Sequence, residues 1–129
     1  MEQARTAPLA GVAGCLAVLA ALAYPYLAVD GSVGAYYGSG VVNPLVAGLL
    51  AAVALIVFAA GREERTEPDF AAGVALAAGL FVTLIVLAWA ATVRIDVLEI
   101  TPLHRWATVV FSLTVPGAGA WYARSLGIF

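Results

Sequence analysis

The sequence predicts an all-α polytopic membrane protein: one domain over residues 1–129, a bundle of four transmembrane helices joined by short loops. Three observations predict it. The chain is 64% apolar with a mean hydropathy of +1.01, above the roughly 45–50% of soluble domains, and a chain this small keeps too much surface exposed to hide the excess. Four long runs, Pro8–Val29, Val41–Ala60, Phe70–Val93 and Trp106–Ala123, contain no Asp, Glu, Lys or Arg, and a helix needs about 20 apolar residues to cross hydrocarbon. Four of the six prolines stand at the start of these runs, at Pro8, Pro44, Pro68 and Pro102, where the first helical turn has no use for the missing N–H.

The first helix is expected over 8–29, opened by Thr6-Ala7-Pro8. Arg5, the apolar stretch and Ala21-Leu22-Ala23 imitate a secretory signal. The run continues through Val29, so an uncleaved span is the expectation. The segment "VAGC" (12–15) resembles a lipoprotein lipobox, but the apolar stretch before Cys15 is short and a long one follows. Cys15 is therefore read as a small buried residue. A lone cysteine also excludes an internal disulfide and a redox pair.

The connection "DGSVGAYYGSGVVN" (30–43) is rich in glycine and carries Tyr36 and Tyr37, read as docking on the membrane surface or on a partner. The second helix is expected over 42–60, with Asn43 capping Pro44. The third, over 68–93, follows the mixed-charge turn "GREERTEPD" (61–69), and the fourth covers 102–123, with Thr101 as cap. Pro25 and Pro116 fall late in the first and fourth helices and read as packing kinks. The halves are also open to a reading as two related hairpins, since Pro8 and Pro68, like Pro44 and Pro102, start corresponding runs; in so Ala-rich a chain this signal is weak.

Small residues four apart, Gly11/Cys15, Gly48/Ala52, Gly73/Ala77 and Ala75/Gly79, let helix backbones approach closely. The hydroxyls in the spans, Thr83, Thr92, Thr108, Ser112 and Thr114, are expected to bond their own backbone or a neighbouring helix. Thr108 and Ser112 share a face of the fourth helix and could bond a partner helix together.

Buried charge is absent from all four runs, which excludes several functions. Small multidrug exporters need a glutamate in the first helix, four-helix disulfide oxidases need cysteine pairs, and haem anchors need histidines inside helices. The net charge of −2 gives no footprint for nucleic acid. The most varied chemistry lies in "TVRIDVLEITPLHRW" (92–106), with Asp96, Glu99 and the single histidine, His104. Pro102 separates the acids from His104, and a metal wants three or more convergent ligands. No metal, cofactor or catalytic residue is assigned. Tyr36, Tyr37, Asp96, Glu99, His104 and Arg105 form the candidate partner-contact surface.

Every cation is arginine, and eight acids face six arginines in an Ala-, Val- and Gly-rich chain. In composition and plan the whole chain resembles small four-helix membrane proteins of haloarchaea with no assigned activity; high-GC bacteria show similar usage. The expected function is a non-enzymatic accessory or scaffold component of a membrane assembly, with the bilayer and a membrane-protein partner or second copy as its contacts. The alternative is a small oligomeric channel or transporter, and an enzyme working through Asp96, Glu99 and His104 ranks third. Arg5, Arg62, Arg65 and Arg124 outnumber Arg94 and Arg105 on the opposite side, so the positive-inside rule places both termini in the cytoplasm. A cysteine at Ser39→Cys should react with an impermeant thiol reagent from outside the cell and one at Thr66→Cys should not; the reverse pattern inverts the orientation.

Overall fold

The computed structural model describes residues 2–28, 33–93 and 102–128. Among them are five helices: α1 (Glu2–Ala28), α2 (Val33–Gly38), α3 (Leu45–Arg62), α4 (Pro68–Thr92) and α5 (Pro102–Ser125). The four long helices form an up-down-up-down ring in which α1 packs on α3 and α5, and α4 packs on the same two. One end gathers the start of α1, the end of α3, the start of α4 and the end of α5, and carries Arg5, Arg62, Arg65 and Arg124. The other end carries α2 and His104. We call these the arginine end and the histidine end.

Three helices, α1, α3 and α4, are long and apolar enough to cross a membrane. The 24-residue α5 matches them in length but dilutes its apolar side chains with Thr108, Ser112, Thr114 and Pro116. At 18 residues α3 is the shortest of the three, about 27 Å at the usual helical rise.

Proline and capping chemistry set two starts as expected. Pro44 sits at the N-cap of α3 and the Asn43 side-chain oxygen accepts the Leu45 N–H at 2.9 Å. Pro68 is the first residue of α4, although neither Glu67 nor Thr66 caps it with a side chain. The start of α1 differs: the helix begins at Glu2 and Pro8 lies inside it. A proline forfeits its own N–H bond and crowds one carbonyl of the preceding turn, and Glu2 suits the positive end of the added turn. Thr101 lies outside the described residues.

The α3–α4 turn is tight and solvated. Glu64 takes a left-handed conformation (φ 57°), the Arg65 N–H reaches the Ala60 carbonyl at 2.9 Å and the Glu64 N–H reaches that of Gly61 at 3.2 Å. This pair of bonds is the Schellman closure of a helix end, usually built on glycine. Among the described residues the single ion pair is beside it, Arg62 to Glu63 at 3.3 Å.

Close backbone approach holds the α4–α5 seam. A Cβ on Gly79 would stand 2.6 Å from the Pro116 nitrogen, and one on Gly119 2.8 Å from the Leu76 Cα. Pro116 is thus buried where two backbones meet, and α5 runs through it unbroken. Gly11 lies under the Phe58 ring, and Cys15 and Ala75 are fully buried. The pair Gly73/Ala77 departs from expectation: both are exposed, and Gly73 has open space around it. These two glycines on one helix supply a controlled comparison. Gly79→Ala should lower stability by about 1–3 kcal/mol through overpacking, whereas Gly73→Ala should leave it unchanged or raise it by up to about 1 kcal/mol through helix propensity. Thermal unfolding in detergent followed by circular dichroism measures both.

Candidate functional site

The histidine end is organised by a helix that sequence periodicity did not anticipate. In α2, Val33, Tyr36 and Tyr37 are buried, and their i, i+3, i+4 spacing puts them on one face. The two tyrosines therefore point into the bundle, 1% and 0% exposed, instead of reaching a membrane surface or partner. That spacing was the available signal; the surrounding glycines obscured it.

Five aromatic rings meet at α2. Trp89 of α4 is fully buried and meets Tyr36 and Tyr37 edge-on, with centroids 5.3 and 5.4 Å away. This geometry sets positive ring edges against negative faces. His104, in the first turns of α5, is 7% exposed and lies 5.9 Å from the Tyr36 ring and 6.2 Å from the Trp89 ring. Tyr24, half-exposed on α1, stacks on the imidazole at 5.9 Å. Trp89 is the centre of this cluster.

Hydrogen bonds define the imidazole's state. Nε2 faces the Ala21 carbonyl at 2.6 Å, so it carries the proton and donates. Nδ1 then accepts from the Tyr36 hydroxyl at 3.2 Å. A neutral ring is satisfied on both sides, and neither nitrogen has a lone pair left for a metal. Tyr37 donates its hydroxyl to the Leu22 carbonyl. The segment after α2 is fastened by the Thr92 hydroxyl, which accepts the Val41 N–H at 2.9 Å and donates to the Ala88 carbonyl at 2.6 Å. The cluster thus ties α1, α2, α4 and α5 together. Two buried groups have no partner among the described residues: the Trp89 indole N–H and the Arg105 Nε. The Arg105 guanidinium lies 5.7 Å above the Trp106 ring, a cation–π contact.

Of the candidate contact residues, the structure brings Tyr36, Tyr37 and His104 together and sets half-buried Arg105 beside them. Asp96 and Glu99, like all of 94–101, lie outside the described residues. Among the described residues no three His, Cys, Asp or Glu side chains converge as metal ligands do. The hydroxyls behave locally: Thr108 donates to the His104 carbonyl at 2.8 Å and Ser112 to the Val109 carbonyl at 2.6 Å. They therefore do not reach together for another helix. The cross-helix bond runs the other way, from the Thr83 hydroxyl on α4 to the Ser112 carbonyl at 3.1 Å.

Beside the cluster an open, mostly apolar groove of about 500 Å³ runs between α1 and α5. Ala17, Ala20, Ala21 and Ala107 form its floor, and Tyr24, Leu103, His104 and Phe111 flank it.

Residues 1–127 match DUF7548, a family of unknown function. The chain belongs to this family. No curated protein and no solved structure gives a significant match. For this DUF7548 member the fold and the site thus rest on the chain's own residues.

Burial pushes the Tyr36 phenol up from its ordinary 10 to about 12, with the Arg105 cation pulling the other way. Burial also raises Tyr37, and the neighbouring Tyr36 and Tyr26 add to it. A phenol raised in the folded state contributes stability that is intact below its unfolded value and lost as pH climbs through the folded one. Stability should therefore hold up to pH 10 and fall between pH 10 and 12. In Tyr36→Phe that fall should shrink, the stability at neutral pH should drop by about 0.5–1.5 kcal/mol for one lost hydrogen bond, and the phenolate absorbance that develops near pH 12 should diminish.

Proposed function

We propose that this chain is a non-enzymatic, multi-pass protein of the cell membrane that acts by packing, as an accessory or scaffold component of a larger membrane assembly. One observation carries the reading. The hydroxyls of Thr83, Thr92, Thr108, Ser112 and Thr114 and both nitrogens of His104 are engaged within the chain, while the groove between α1 and α5 leaves an alanine-floored apolar face uncovered. With these span hydroxyls and the single histidine engaged, little is left along the spans with which to move a proton or a solute. Alanines at a groove floor permit the close helix approach on which association in lipid depends.

In this reading α5 is a fourth span. Its support is packing along α1 and α4, from His104 on the Ala21 carbonyl near one end to Gly119 against Leu76 near the other. Four spans put both termini on the side of Arg5, Arg62, Arg65 and Arg124, the cytoplasmic side by arginine count. The arginine-only, acid-rich composition favours a haloarchaeal source. A pore built on a bend in α5 draws less support, because Pro116 packs against Gly79 instead of lining a path.

Extraction in a mild detergent followed by native mass measurement should give a complex of defined stoichiometry. Ala107→Leu, which fills the groove floor, should abolish that complex while leaving helix content intact. A wild-type chain that is monomeric and partnerless under every mild extraction would refute the proposal.

A further inference from the structure

The arginine end holds a hollow that the packing reading leaves unused. It lies where α1 and α4 begin and α3 and α5 end, has a volume of about 330 Å³, and is lined by Glu2, Arg5, Arg62, Glu64 and Tyr122 among others. An adjoining hollow of about 390 Å³ shares Glu2, Arg5 and Arg62 and continues along α1 past Thr6 to Leu9, which is half-exposed. Together they make a chamber of charged and apolar side chains with an apolar exit down the side of the bundle.

Two independent features mark the chamber as a binding site. The first is Tyr122: its side chain is 1% exposed, it lines the hollow, and its hydroxyl has no hydrogen-bond partner among the described residues. The hydroxyl lies over Gly61, 2.7 Å from the place a Cβ would occupy, so the absent side chain keeps it open. The ring is buried while its hydroxyl opens on the hollow, a donor that a ligand seated there can engage. The second is the arginine pair. Arg62 is held in place by its Nε bond to the Arg5 carbonyl at 2.9 Å and by Glu63 at 3.3 Å. The Arg5 guanidinium has no ion pair among the described residues.

We propose that this chamber binds the phosphate of a phospholipid headgroup. The inference rests on the membrane reading above. Arg5 and Arg62 present planar donors suited to phosphate oxygens, and the Tyr122 hydroxyl donates to the same group. Glu2 and Glu64 balance the two cations, so the complementary headgroup pairs its phosphate with donors of its own, an ammonium or hydroxyls, for these carboxylates to accept. The acyl chains leave past Leu9. Polar pockets between helix ends at the membrane surface are the geometry in which headgroups are recognised.

The test uses the full chain in mild detergent, with retained lipid read by native mass spectrometry. Phosphatidylglycerol, phosphatidylethanolamine and phosphatidylcholine of matched chains are offered separately, with inorganic phosphate as a fourth arm. Phosphatidylglycerol or phosphatidylethanolamine should be retained in preference to phosphatidylcholine, which lacks the donors. Arg5→Gln and Arg62→Gln should each lower retention by about five- to tenfold, and Tyr122→Phe, which keeps the buried ring, should lower it as well. Arg124→Gln removes the same charge at the same end but outside the hollow, and should leave retention unchanged. Equal retention of phosphatidylcholine, an Arg124→Gln effect as large as that of Arg5→Gln, or inorganic phosphate binding as well as lipid would each overturn the proposal. Alkaline carbonate washing of native membranes separates the two claims. A chain washed off with the peripheral proteins refutes the membrane reading; a chain that stays but does not discriminate among lipids refutes this one alone.

Discussion

Between the helices of this chain a hydrogen-bonding group is tolerated mainly where a partner waits for it, and most of the architecture follows from that demand. An unpaired polar group away from water costs several kcal/mol. The hydroxyls meet the demand locally, each donating to a backbone carbonyl within reach: Thr108 to His104, Ser112 to Val109, Thr114 to Phe111. With polar contacts absorbed in this way, contact between helices falls to shape. The α4–α5 seam shows the result, with Gly79 against Pro116 and Gly119 against Leu76, backbone nearly touching backbone. A ring of four helices closes because two of its members can come that close.

The histidine end meets the same demand at longer range. His104 reaches across to the Ala21 carbonyl, 83 residues away in sequence, and takes the Tyr36 hydroxyl on its other nitrogen. The imidazole acts there as a bridge between elements. The short α2 is a plug whose tyrosines fill the space above Trp89, and Gly40 lets the following chain lie close on Trp89 and Thr92. The demand is not met everywhere: among the described residues the Trp89 indole N–H and the Arg105 Nε stay unpartnered at this end, and other groups do at the arginine end. The Tyr122 hydroxyl and the Arg5 guanidinium are left open to a hollow, so the two ends differ in what they can still receive.

Much of the fold was legible in the residues. Apolar run length located all four long helices, and proline with Asn43 located the start of α3 almost to the residue. Proline misled at α1, because Pro8 looks like a first-turn proline and is compatible with a helix that began a turn and a half earlier. The site was less legible. Tyr36 and Tyr37 sit in a glycine-rich stretch whose composition reads as loop, and only the spacing of Val33, Tyr36 and Tyr37 hints at a buried face. His104 stood beside charged Arg105 and the acids of 94–101, so local composition read as a wet surface; its partners come from α1 and α2, which no local window contains. Small-residue spacing gave true seams at Gly11 and Gly79 but also marked Gly73, which faces outward, because spacing reports that a close approach is feasible and not which neighbour makes it.

The bond from His104 to Ala21 joins the last long helix to the first. A ribosome delivers these helices in order, α1 first and α5 last. The side of α1 that α5 covers, including Gly14 beneath Thr114 and the Ala21 carbonyl, therefore stands uncovered throughout synthesis of everything between. During that interval α1 has only α3 as a long-helix neighbour, and the α1–α5 groove lacks the wall that α5 supplies. Completion of the C-terminal helix is thus the step that converts an open three-helix sheet into a closed ring, and anything that occupies the α1 face beforehand competes with the chain's own final segment for it.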